Sequence, residues 1–84
     1  MRTIADQLKY TKSLLDGKEL KQARLIIKQH KGWGCTTIDN GEHLDVEIVY
    51  DDNLSLFLSY EIKDNKLNYE GCLLTVGDET WQLD

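Results

Sequence analysis

Residues 43–63 read HLDVEIVYDDNLSLFLSYEIK, and the architecture follows from their period. Leu44, Val46, Ile48 and Tyr50 alternate with His43, Asp45, Glu47 and Val49. After Asp51-Asp52-Asn53, Leu54, Leu56, Leu58, Tyr60 and Ile62 alternate with Ser55, Phe57, Ser59, Glu61 and Lys63. A period of two over this length predicts two half-buried strands. A three-residue loop at 51–53, with Asn53 left-handed, would pair Tyr50 with Leu54, Ile48 with Leu56 and Val46 with Leu58. Apolar then faces apolar.

The alternation continues on both sides. Downstream, Asp64-Asn65 is a two-residue turn that pairs Ile62 with Leu67, Tyr60 with Tyr69 and Leu56 with Leu73. This sets Leu67, Tyr69, Gly71 and Leu73 inside and Asn68, Glu70, Cys72 and Leu74 outside. Gly77-Asp78 leads to a short last strand, Thr80–Leu83. Upstream, Asn40-Gly41 is a strong hairpin signal and pairs Thr37 with Leu44, extending the sheet through Trp33, Cys35 and Thr37. A slip of one residue would turn a strand inside out, and the three turns agree on one inner face. The prediction is a five-stranded antiparallel β-meander.

Before Trp33 the period becomes helical. Thr3 with Asp6 forms an acidic capping pattern, and Ile4, Leu8, Thr11 and Leu15 make a stripe with Leu14 beside it. Gly17 suits a helix end, and Asp16 with Glu19 could cap a second helix bearing Leu20, Ala23, Ile26, Ile27 and His30. An αα-hairpin, or one bent helix, is expected to cover one face of the meander in an α+β fold.

Eighty-four residues make a single domain, and its charges are sorted by position. Residues 1–31, the basic helical layer, carry eight Lys/Arg against three acids, a net of +5. Residues 32–84, the acidic β-sheet layer, carry two lysines against twelve acids, a net of −10. No apolar run approaches the roughly 18–20 residues of a membrane span, and no signal-peptide core follows Met1-Arg2. The expectation is a cytoplasmic protein without a membrane partner. Cys35 and Cys72, read on opposite faces, are expected to be reduced thiols. Phe, Tyr, Met, Ile, Asn and Lys total 24 against 10 for Gly, Ala, Arg and Pro, a bias of AT-rich coding DNA that suggests a bacterium or phage.

On the uncovered face the register predicts the rows His43–Glu61–Asn68, Asp45–Ser59–Glu70, Glu47–Phe57–Cys72 and Val49–Ser55–Leu74. One end is acidic (Asp45, Glu47, Glu61, Glu70) and the other apolar (Val49, Phe57, Leu74). Like charges across strands oppose folding, and apolar residues rimmed by charge mark interfaces. His30, His43, Cys35 and Cys72 have no zinc spacing, so no metal is expected. No cofactor or catalytic motif occurs. An open sheet face gives carboxylates little burial with which to act as acid and base. Gly32-Trp33-Gly34 ends a helix and starts a strand, the reverse of a phosphate loop.

The expectation is a small non-enzymatic inhibitor, of the immunity-protein or phage anti-defence type. It would bind a basic, nucleic-acid-handling protein such as a nuclease through Asp45, Glu47, Val49, Phe57, Glu61, Glu70 and Leu74. The alternative is nucleic-acid or acidic-partner binding through Lys9, Lys12, Lys18, Lys21, Arg24, Lys28 and Lys31. Direct nucleic-acid binding is disfavoured by a net charge of −5. A monomer or a homodimer fits either reading.

Overall fold

The computed structural model describes residues 3–84. Helix α1 (Ile4–Leu15) starts at Thr3, whose Oγ1 accepts the Asp6 N–H at 3.1 Å, the expected capping bond. It stops at Gly17, whose φ of +78° only glycine adopts without steric cost. Residues 16–19 are not helical, so α2 (Leu20–Lys28) is a separate helix and the single bent helix is excluded. Asp16 does not cap α2. It closes α1, and its Oδ1 accepts the Tyr69 N–H at 3.0 Å, while Glu19 at the start of α2 makes no side-chain cap.

The strands β1 (Trp33–Ile38), β2 (His43–Asp51), β3 (Leu54–Lys63), β4 (Lys66–Val76) and β5 (Glu79–Gln82) form one antiparallel sheet in chain order. With both helices on one face, the fold is the expected α+β two-layer arrangement. Thr37–Leu44, Ile48–Leu56, Val46–Leu58, Ile62–Leu67 and Tyr60–Tyr69 pair as predicted. Asp64 and Asn65 both have positive φ, as a tight hairpin turn needs.

Two bulges depart from the predicted register. Val49 pairs with Ser55 but Asp51 pairs with Leu54, so Tyr50 is an extra residue and does not face Leu54. The turn is Asp52-Asn53; Asn53 is not left-handed, and its N–H bonds Asp51 Oδ1 at 2.7 Å.

The second bulge matters more. Tyr60 pairs with Tyr69, but Ser59 pairs with Gly71, leaving Glu70 unpaired. One extra residue reverses the faces of everything that follows. Leu58 therefore faces Cys72, Leu56 faces Leu74, and Phe57 faces Leu73. Cys72 is buried and Leu74 packs on the core, while Leu73 is exposed. The predicted Leu56–Leu73 pair and the outward Cys72 and Leu74 are thus corrected. Adjacent leucines at 73 and 74 suit either parity, so alternation alone could not register this strand.

The same flip puts Cys35, Val46, Leu58 and Cys72 in one row on the inner face. The two cysteines were expected on opposite faces. They remain free thiols because three strand spacings, about 14 Å, separate them.

The core joins Leu44, Val46 and Ile48 of β2 to Leu56, Leu58 and Tyr60 of β3, with Leu67 and Cys72 of β4. Leu15, Ala23 and Ile27 close it from the helices. The helical stripe also buries two polar residues, which bond each other: Gln7 Nε2 donates to Thr11 Oγ1 at 3.0 Å. Tyr60 O–H donates to the Thr11 carbonyl at 3.3 Å, tying α1 to the sheet. A buried polar group without such a partner would be destabilising.

Strand β4 has its outer edge closed by two segments. β5 pairs with Leu73–Val76, and Leu83 N–H continues to the Cys72 carbonyl at 2.9 Å. The other half is taken by the interhelical loop. Gly17 N–H bonds Leu67 O at 2.7 Å, Leu67 N–H bonds Lys18 O at 2.8 Å, and Leu20 N–H bonds Asn65 O at 3.0 Å.

Truncating Leu58 to Ala is expected to cost about 2–5 kcal/mol in urea unfolding, whereas Leu73→Ala costs less than about 1 kcal/mol. Equal losses would contradict the reversed register. Burial, and then the nearby Asp84 carboxylate, push the Cys72 thiol up to about 11 from an ordinary 9.0. Between those values the unfolded chain loses this proton and the folded chain keeps it. The unfolded state then binds fewer protons, so stability is full below pH 9 and falls as pH rises toward 11. Chemical denaturation across that window should show the decline. A thiol reagent at neutral pH should label Cys35 and spare Cys72 in the native protein.

Candidate functional site

The sheet face away from the helices is the candidate site. Its rows are Ile38–His43–Glu61–Asn68, Thr36–Asp45–Ser59–Gly71, Gly34–Glu47–Phe57–Leu73–Gln82 and Val49–Ser55–Thr75–Thr80, with Ile38 exposed beside His43. Asp45, Glu47, Val49, Phe57 and Glu61 occupy the rows assigned to them from sequence. Leu74 does not belong here, since it lies on the inner face, and Leu73 takes its place beside Phe57. Val49 and Leu73 are 47 % and 40 % exposed, flanking a half-buried Phe57. Val76 and Trp81 are also exposed, but their pairing with Leu54 and Leu74 sets them on the inner face, beyond the helices.

At the acidic end, Glu70 leaves the row predicted for it. Asp45 Oδ1 accepts the Ser59 Oγ–H at 3.0 Å without Glu70 opposite. The bulge sends Glu70 across β3 instead, and its Oε1 sits 3.2 Å from His43 Nε2. On the other side of the ring, Asp39 Oδ2 lies 3.0 Å from Nδ1. That nitrogen is buried, and the contact lacks the alignment of a hydrogen bond. Asp39 is held by a left-handed turn, Asp39–Gly41, in which Asp39, Asn40 and Gly41 all have positive φ. The Asn40-Gly41 signal was thus correct about a turn but did not reveal that Asp39 joins it. A left-handed Asp is uncommon, though tolerated better than most residues. A ring nitrogen of His43 and carboxylate oxygens of Glu61 and Glu70 all lie within 4.8 Å of one another.

The remaining sequence candidates are dispersed. His30 Nδ1 lies 2.8 Å from the Ile26 carbonyl, its Nε2 is 3.2 Å from Tyr10 Oη, and its ring stacks on Trp33 at 4.0 Å. Its contacts are with Tyr10, Ile26 and Trp33, whereas Cys72 lies in the core and His43 on the outer face. Lys21, Arg24 and Lys28 recur along the exposed side of α2, with Lys31 beyond its end. Lys12 is drawn off that face, 3.6 Å from Asp84 and 4.4 Å above the Tyr69 ring. Burial, with Asp84 beside it, raises the Tyr69 phenol. Lys9 lies on α1 and Lys18 in the loop between the helices.

No protein-family model matches the chain, and neither a curated protein nor a solved structure is significantly similar to it. Among the described residues, no helix is long and apolar enough to cross a membrane. Any functional reading therefore rests on the chemistry of these surfaces.

Because Glu70 is the supernumerary residue, deleting it should restore a regular ladder and leave both faces in place. Circular dichroism and native protection of Cys72 are expected to be unchanged. Exposure of the Cys72 thiol would show that the bulge has another role.

Proposed function

We propose that this is a non-enzymatic interaction protein whose outer sheet face binds a basic partner that handles nucleic acids. The observation that carries the reading is the juxtaposition of Phe57, Val49 and Leu73 with Asp45, Glu47, Glu61 and Glu70 on a face without a helix over it. A central aromatic with apolar neighbours supplies the desolvated anchor of an interface. The surrounding carboxylates offer spaced negative charge that a phosphate-binding groove would accept, and complementary potential accelerates docking. An inhibitor that occupies such a groove, as an immunity or anti-defence protein would, needs no catalytic group. The Lys21–Arg24–Lys28 side of α2 supplies the competing reading, direct binding of an acidic partner or nucleic acid.

Two variants separate the readings: Glu47→Lys with Phe57→Ala on the sheet, and Lys21→Glu with Lys28→Glu on α2. Affinity capture from nuclease-treated lysate of the source cell should retain one basic protein with wild type and with the α2 variant. The sheet variant should lose it, and the wild-type complex should weaken as salt rises. Capture unaffected by the sheet variant would refute the proposal. Salt-sensitive nucleic-acid binding abolished by the α2 variant would establish the competing reading.

A further inference from the structure

We propose that His43, Glu61 and Glu70 form a site for a zinc-class divalent cation, with Asp39 orienting the imidazole from behind. Three different strands contribute: His43 from β2, its direct partner Glu61 from β3, and Glu70 from β4. Glu70 reaches the group because the β4 bulge removes it from the Ser59 row. One nitrogen and two carboxylates supply the ligand count of a zinc site that retains a water, with one more oxygen than the set of two histidines and a glutamate. An imidazole donor favours zinc and its neighbours over magnesium or calcium, which prefer all-oxygen shells.

The distances fit without a change of backbone. Tetrahedral bonds of about 2.1 Å place ligand atoms about 3.4 Å apart. The three donor atoms already lie within 4.8 Å of one another, and Glu70 Oε1 is 3.2 Å from His43 Nε2. Rotation of the two glutamate side chains closes the remainder. A cation would insert between His43 Nε2 and Glu70, replacing their present contact.

The second ring nitrogen supplies an independent observation. Metal-bound histidines commonly turn their other nitrogen to a carboxylate, which fixes the ring and raises its basicity. Asp39 Oδ2 stands 3.0 Å from the buried Nδ1, and a small rotation would align it. Charge points the same way. Asp39, Glu61 and Glu70 surround a single imidazole, and among the described residues no Lys or Arg pairs with any of them. Lys63, next after Glu61 on this face, makes no bridge to either glutamate.

The site eluded the sequence because zinc motifs are read as short spacings of Cys and His. Here one histidine meets carboxylates 18 and 27 positions away. It also does not depend on the partner proposal, since the isolated chain should bind the ion.

The test is calorimetric titration of the Cys35→Ser protein with zinc chloride at pH 7.5, the exposed thiol having been removed as a competing ligand. One zinc per chain is expected, displaced by neither magnesium nor calcium. His43→Gln should lose binding by at least tenfold, and Glu61→Gln and Glu70→Gln should each weaken it. Asp39→Asn should keep the stoichiometry and lose roughly 10- to 100-fold in affinity. The ring-nitrogen signals of His43 should shift on titration, with Nε2 as the ligated atom. Absence of saturable binding, or binding indifferent to His43→Gln and to both glutamate variants, would overturn the site. Equal affinity for magnesium would overturn the nitrogen ligand. Should His43→Gln fail to fold, the glutamate variants and the imidazole signals decide the matter.

Discussion

Strand β4 depends on hydrogen bonds from two ends of the chain. Its inner edge pairs with β3 on both sides of the Glu70 bulge, while its outer edge is shared between β5 and the loop joining the helices. A row of unpaired backbone groups at a sheet edge must be satisfied or left in water, where it invites other strands. Gly17, Lys18 and Leu20 satisfy the first half of this edge, and Asp16 adds a side-chain bond to Tyr69. That anchorage fixes the helix hairpin over the inner face, which places Leu15, Ala23 and Ile27 on the core. The opposite face is left open as a direct result.

The open face owes its composition to the bulge at Glu70. With a regular β4, Cys72 would stand beside Phe57 and Glu70 opposite Ser59. The extra residue exchanges Cys72 for Leu73, making the patch around Phe57 more apolar, and carries Glu70 to His43. A single unpaired residue thus sets Leu73 beside Phe57, moves Leu74 to the core face, and tightens the acidic end. The two ends support different proposals, a protein contact and a cation site. Each uses side chains that the fold does not need for its core.

Most of the architecture could be read from the amino acids. Alternation over 43–63 and the helical stripe before Trp33 are signals of burial, and burial has one solution per element. Pairing was recoverable wherever turn and hydrophobic pattern agreed, as at Asp64-Asn65. It failed where the pattern was ambiguous, at Leu73-Leu74, and at the 51–53 loop, where Asp51 joins the ladder and accepts the Asn53 N–H instead of Asn53 turning left-handed. Val49, Phe57, Asp45 and Glu47 were placed because they precede the bulge or sit on its partner strands. The His43 group was not assembled, because Asp39 and Glu70 arrive there by a left-handed turn and a bulge. Neither device carries a periodic signature.

The bonds that secure the helices also set an order of assembly. Tyr69 N–H to Asp16 spans 53 residues and Tyr60 O–H to Thr11 spans 49, whereas each β-hairpin joins neighbours in the chain. Closing a long loop before its contacts exist is entropically unfavourable, so short-range pairing leads and distant pairing follows. The meander can zip up hairpin by hairpin, but α1 and α2 have no edge to grip until β3 and β4 have met. The bonds that tie α1 and the interhelical loop to β3 and β4 are therefore late to form in folding and early to part in partial opening. In hydrogen exchange, amides of α1 and α2 would open together, with a lower free energy than those of β2 and β3.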